Sequence, residues 1–199
     1  GYVLTCLGRG ALTYKRSRAG NTLADRVAEY VIADRKPSSI ILSPGAIINL
    51  AKNSPWASDY FVDRGSDELS FNSLAFQLPV GSVMRDQYAR YYGYHSSADE
   101  KRWIDFDQLA ESVAVYERIL QTAEANRVYQ STVIHGVPQL GRRGLYSAAD
   151  VHPMLALTQF CDGQTDLLAV AERTGLPIER LAEAAARAET AGVLEKTHG

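Results

Sequence analysis

The sequence predicts an α/β fold, part of a mixed sheet flanked by helices and followed by a small helical module, and three observations carry that expectation. Tyr2-Val3-Leu4-Thr5-Cys6-Leu7 is a continuous run of β-formers closed by Gly8-Arg9-Gly10, the pattern of a strand buried on both faces. Asp105 opens a long helical period, with Gln108 three residues on as in a capping box. Phe106, Leu109, Val113, Tyr116 and Leu120 form its apolar stripe, which is expected to pack on the sheet as the helix runs to about Asn126. Beyond residue 148 the order is helix, helix, glycine turn, helix and short strand, that of a winged-helix or helix-turn-helix module. The expected organisation is a first domain over 1–130, a linker over 131–147 and the terminal module over 148–199.

Between these landmarks the elements follow in order. Leu12-Thr13-Tyr14 reads as a short second strand. The cluster Lys15-Arg16-Ser17-Arg18 reads as a solvated turn, with an anion or carboxylate contact as the alternative. Asn21 is placed to cap a helix whose Leu23, Val27, Tyr30 and Val31 share one face. In 36–63 the signal is poor: Pro37 breaks the helix, Ile40-Ile41-Leu42 resembles a strand, and 46–51 suggests one or two helical turns. Gly65-Ser66-Asp67-Glu68 is a glycine turn with adjacent carboxylates, ordinarily solvated, and fit for a metal or an ammonium group if the turn enters a cleft. Phe76, Leu78 and Val80 alternate as a short strand would, ended by Gly81-Ser82.

The totals exclude several function classes. With 46% hydrophobic residues, 22% charged residues, a formal charge of -2 and a pI near 6.1, the composition is globular and gives no electrostatic reason for binding nucleic acid or an anionic membrane. No apolar run spans a bilayer and the N-terminus carries no cleavable signal. The two cysteines, Cys6 and Cys161, are far apart and read as reduced thiols of a cytoplasmic protein. The third helix of the terminal module carries Glu179, Glu183 and Glu189 against Arg180 and Arg187, a charge set that phosphates repel. A packing or regulatory role fits that helix better than DNA.

The hardest stretch to explain by packing is 76–100, where a Pro-Gly turn, Arg85, four tyrosines and one histidine stand together. His95, with Tyr94 before it and Ser96, Ser97 and Asp99 behind it, is fit for a metal ligand, a base or a satisfied loop residue.

The segments GYVLTCLG, TYKRSRAGNTLADR, GSDELSFNS, LPVGSVMR, YHSSADE and PQLGRRGLY, in that order, resemble the C-terminal half of a family of aminopeptidase-like proteins. These are similar to the co-catalytic zinc exopeptidases and end in a winged-helix domain. The resemblance implies a partial zinc exopeptidase-like sheet and hydrolysis of a peptide or of an amide-linked small molecule. It makes His95 a ligand to one of one or two zinc ions, Asp99 a partner for its second ring nitrogen, and Tyr94 a hydrogen-bond donor to the oxyanion. Asp67 and Glu68 then lie on the side of the substrate ammonium, and Arg85 either holds a substrate carboxylate or pairs with an acid.

The family's earlier histidine, aspartate and acidic motifs lie upstream of what Gly1 begins. The resemblance therefore implies completion by an N-terminal half in the same polypeptide or a neighbouring chain, and no catalysis by this chain alone. Cys6 stands where such enzymes place an aspartate ligand, and reads as a core thiol or a substitute thiolate. The alternative is a non-catalytic scaffold or regulatory protein whose winged-helix module makes protein contacts. A homo-oligomer is compatible with the open sheet edge expected of the partial fold.

Overall fold

The computed structural model describes residues 1–33, 57–60, 65–147 and 151–197. The expected strand at 40–42 and the helical turns at 46–51 lie outside the described residues. Two compact units divide the chain, Gly1–Leu120 and Gln121–Gly199.

The first unit holds a four-stranded mixed sheet of β1 (Tyr2–Leu4), β2 (Thr13–Lys15), β3 (Ala57–Ser58) and β4 (Gly81–Met84), in the order β1-β4-β2-β3. β1 runs parallel to β4 with Val3 opposite Ser82, and β2 runs antiparallel to β4 with Tyr14 opposite Val83. Partners across a ladder point to one face, and successive residues alternate. Tyr2, Leu4, Tyr14 and Val83 therefore share one face, and Val3, Ser82 and Lys15 share the other. β1 is shorter than the sequence suggests: after Thr5, Cys6 takes a left-handed φ of 50° and ends the strand. The expected strand over 76–80 is displaced. Gln77 is also left-handed, Pro79 has no N–H for a ladder, and the pairing begins only at the wholly buried Gly81-Ser82-Val83-Met84. Gly81 is required there, because a Cβ would come within 2.1 Å of the Tyr14 hydroxyl.

Helix α1 (Leu23–Ala33) covers the Tyr14 face with Val27, Ala28, Val31 and Ile32 buried. Its cap is Thr22 rather than Asn21: Thr22 N–H donates to Asp25 Oδ2 (2.9 Å) while Asp25 N–H reaches back to Thr22 Oγ1 (3.4 Å), a capping box with aspartate as its acid. Asp25 is buried and also accepts from the Tyr14 hydroxyl, Ser17 N–H and the Ser17 hydroxyl. Burial alone would raise its pKa, but these hydrogen bonds outweigh it and hold the carboxyl below the ordinary value.

Helix α2 is the single turn Glu68–Phe71, and α3 spans Phe106–Ala125. Asp105 caps α3 as expected, accepting from Asp107 and Gln108 N–H at 3.1 Å and from the Gln108 side chain at 3.0 Å. The stripe, however, is turned. Ser112, Val115, Tyr116 and Ile119 face inward, and the Tyr116 hydroxyl donates to the strand carbonyls of Val3 (2.8 Å) and Val83 (2.9 Å). Phe106, Val113 and Leu120 face out. Two small polar residues of α3, Ser112 and Thr122, are also buried, and the apolar periodicity alone does not register them.

The second unit holds a three-stranded antiparallel sheet, β6-β5-β7, of β5 (Val128–Ser131), β6 (Asp162–Asp166) and β7 (Leu194–Lys196). Its helices are α4 (Val151–Phe160), α5 (Leu167–Thr174) and α6 (Ile178–Thr190). Met154, Leu157, Leu168, Ile178, Leu181 and Val193 make a dry core. The stretch 131–147 starts at the end of the central strand and contributes the buried Leu140 and Leu145. The outward residues of α6 include Glu179, Arg180, Glu183, Arg187 and Glu189, with Arg180 on Glu183 at 3.2 Å. Among the described residues no helix is long and apolar enough to cross a membrane.

Candidate functional site

The C-terminal ends of β1 and β4, where parallel strands open a crevice in α/β sheets, receive the loops that carry Cys6, Arg85 and the tyrosine-histidine stretch. Arg85 N–H donates to the Cys6 carbonyl (3.1 Å) and joins the two strand ends. The loop over 87–104 then winds through successive turns, with hydrogen bonds from Tyr94 to Tyr91, Ser96 to Gly93 and Asp99 to Ser96. Gly93 has a φ of 94°, and a Cβ there would meet the Ala98 carbonyl oxygen at 2.9 Å. Trp103 Nε1–H donates to the Ala98 carbonyl (2.8 Å) and pins the far end before α3 begins.

Within this loop the rings are ordered. Tyr91 meets Tyr94 edge-on at 5.3 Å, and Tyr94 stacks on the His95 imidazole at 4.0 Å and 16°. His95 is exposed and held in a left-handed conformation, φ 53°, which costs an L-residue free energy and is met most often where geometry serves function. Asp99, expected to hold the second ring nitrogen of His95, instead accepts from the Tyr91 hydroxyl at 3.2 Å. Burial and that carboxylate push the Tyr91 phenol up to about 12, so it stays a donor. Asp99 therefore reaches His95 through two rings, not directly. Tyr94 is half-buried.

The other predicted residues go elsewhere. Asp67 is exposed at the start of α2 and makes no cap hydrogen bond. Glu68, expected toward substrate, lies in the interior: Lys15 Nζ donates to its Oε1 at 2.9 Å with both side chains fully buried, and Ser66 N–H and the Tyr88 hydroxyl complete its shell. Burial pushes Glu68 up, but the Lys15 hydrogen bond and charge prevail and hold it below the ordinary carboxylate value. Arg85 follows its second reading. Its guanidinium donates to Glu111 (2.6 Å), Ser112 Oγ (2.9 Å) and the carbonyls of Gln108 and Gly10 (3.0 Å each), locking α3 to the strand ends. Of the basic cluster, Lys15 and Arg16 are likewise committed to acids, Arg16 to Glu29 and Asp59.

Sequence reasoning passed over Tyr91, Arg9 and Arg102. An open cleft of about 310 Å3 is lined by Arg9, Arg102 and Trp103. The three-residue spacing of Tyr91 and Tyr94 around Gly93 was the available signal for the ring pair. Cys6 is half-buried, and burial, aided by the Asp86, Asp99 and Glu68 charges and opposed by a contact from the Thr5 hydroxyl, pushes its thiol up. That favours the protonated thiol over a thiolate ligand. Among the described residues no group of three or more His, Cys, Asp and Glu side chains converges on one point fit for a metal ion.

A family described as a domain of unknown function (DUF4910) matches residues 1–126, more than half of the chain. The chain belongs to that family. A second match, to a winged helix-turn-helix family, covers residues 127–196. This DUF4910 chain is 33% identical over 194 residues to a Clostridium acetobutylicum protein named "Putative polysaccharide biosynthesis protein with aminopeptidase-like domain", covering 93% of the chain and 41% of that relative. It is also similar to a crystal structure of a "putative peptidase" from the same organism, with a TM-score of 0.80 and 31% identity over 99% of the chain and 42% of the solved one. The chain thus spans about two fifths of the length of the relatives it matches.

Proposed function

We propose that this chain carries one part of a peptidase-like hydrolytic site, in which Tyr94 and His95 act on a peptide or an amide-linked small molecule. The observation that carries the reading is the Tyr94–His95 pair, a half-buried phenol ring-stacked on an exposed imidazole that a left-handed turn holds in the loop after β4. The relatives' names, aminopeptidase-like and peptidase, support it. In this reading the Tyr94 hydroxyl donates to the oxyanion that forms when the amide carbonyl is attacked, and the His95 imidazole supplies a basic nitrogen beside it. Exposed Asp67 is available to a substrate ammonium. Arg85 positions the strand ends rather than touching substrate.

Zinc, as one or two ions, belongs to the proposal only as a group this chain would help to hold. The described residues do not compose a zinc site: His95 is one imidazole, Asp99 is tied to Tyr91, and Cys6 favours its thiol. The remaining donors and the water-activating acid would come from an N-terminal half equivalent to the extra length of the relatives. The test is zinc content and hydrolysis of aminoacyl-amide substrates by the chain joined to such a half. Replacing His95 by Ala is expected to lower kcat/KM by about a hundredfold or more and to weaken zinc retention. Activity and zinc indifferent to both His95→Ala and Tyr94→Phe would sink the reading. A non-catalytic scaffold is the second reading, favoured by the internal commitment of Glu68 and Arg85, and it predicts an unchanged fold with neither zinc nor turnover.

A further inference from the structure

Helix α3 is apolar on two faces. Its inward face is anchored over β1 and β4 by Tyr116, yet Phe106, Val113 and Leu120, spaced seven residues apart, are 67%, 64% and 59% exposed. A helix that is apolar on both sides is ordinarily buried on both. Beneath it β1 is the edge strand of the sheet among the described residues, and its Leu4 is 64% exposed. That edge carries none of the devices that protect an open edge, since Tyr2-Val3-Leu4-Thr5 has no charge, no proline and no bulge. An unguarded edge and an outward stripe thus stand beside the same two strands, to which Tyr116 ties α3, and the two relatives carry more than half of their length beyond what this chain matches.

We propose that the β1 edge and the Phe106–Val113–Leu120 stripe form one docking surface, and that its occupant is the α/β segment corresponding to that extra length. A strand of the segment continues the sheet beside β1, and an apolar element lies along α3. For its occupant the proposal rests on the peptidase-family reading above; the surface itself does not.

The test is co-expression of this chain with a tagged polypeptide comprising the part of the Clostridium acetobutylicum relative outside the matched 41%. Complex formation is read by co-purification and by light scattering after gel filtration. A one-to-one complex is expected, with Val113→Glu plus Leu120→Glu weakening it on the order of tenfold or more. These side chains point outward, so the melting temperature of the variant chain should hold, and Ile134→Glu, exposed in the other unit, should leave the complex intact. No complex, or a complex indifferent to the double substitution, overturns the proposal. A homodimer of this chain that the double substitution splits overturns it in favour of a second copy. A stripe-dependent complex without hydrolysis leaves the surface standing and removes the catalytic reading; hydrolysis by a stripe-indifferent complex does the reverse.

Discussion

The two units solve the same problem, enclosing a small sheet with helices, in opposite ways. The first buries charge: Lys15, Asp25, Glu68 and Arg85 are all inside, and the left-handed non-glycine residues among the described ones, Cys6, Gln77, Ala89 and His95, belong to it. The second buries almost only hydrocarbon, with Thr122 its one buried polar side chain among the described residues. Buried charges and strained backbone cost stability, and proteins retain them mainly where geometry serves something besides folding. The difference agrees with the proposal that the first unit carries the site, and it makes the second, on its packing, the more self-sufficient.

The largest test of that contrast is Lys15→Met. It leaves the Glu68 carboxylate buried without its cation, and is expected to cost about 3–5 kcal/mol in thermal or urea unfolding. The double variant Lys15→Met with Glu68→Leu removes both charges and should recover most of the loss. The pH dependence should also reverse. In the native chain Glu68 is held below its unfolded pKa, so its contribution is present above that value and is lost as pH falls through the folded one. Without Lys15 burial raises Glu68, so the variant is best placed below the unfolded pKa and loses stability as pH rises through the raised one. A single variant as stable as the native chain, with an unchanged pH profile, would show that the buried pair matters little.

That pair also marks where the sequence stopped being legible. The mixed α/β character, the cap of α3 at Asp105 and the winged-helix character of the terminal module were readable, because each rests on local periodicity, capping chemistry or element order. The pairing of Lys15 with Glu68 was not, since the two lie 53 residues apart and each in its own context resembles a solvated charge. The turned stripe of α3 was missed for a related reason. Periodicity reports that a helix has an apolar face without telling which of two faces the fold covers, and Ser112 hid the inward one. The strand expected over 76–80 lies instead at Gly81–Met84, because Pro79 has no N–H for a ladder and the alternation of Phe76, Leu78 and Val80 does not reveal that. At the site, the Tyr94–His95 pair was visible as composition, whereas its ring stack, the Tyr91–Asp99 bond and the Arg9–Arg102–Trp103 cleft depend on loop geometry that no spacing encodes.

In the second unit the corresponding perturbation is smaller. Asp166 caps α5, accepting from Ala169 N–H at 2.8 Å, and also accepts from the Asn126 side chain at 3.1 Å. Asp166→Ala should cost about 1 kcal/mol, read as a lowered unfolding midpoint, because the helix can recover part of the loss by turning its free N–H to water. A loss as large as that of Lys15→Met would break the contrast between a charged interior and a dry one.

The smallest stability effect should fall on His95, and its sign is informative. At φ 53° a histidine pays for a conformation that glycine adopts freely, while glycine gives up more chain entropy on folding. His95→Gly should therefore leave stability within about 0.5 kcal/mol of the native chain, and His95→Ala, which keeps the strain and loses the ring, should be about 1 kcal/mol less stable than the glycine variant. If the stack on Tyr94 were there to hold the loop together, both substitutions would cost alike and glycine would bring no relief. Relief by glycine, together with loss of turnover in the completed protein, would mean that the left-handed turn is retained for what the imidazole does rather than for the stability of the fold.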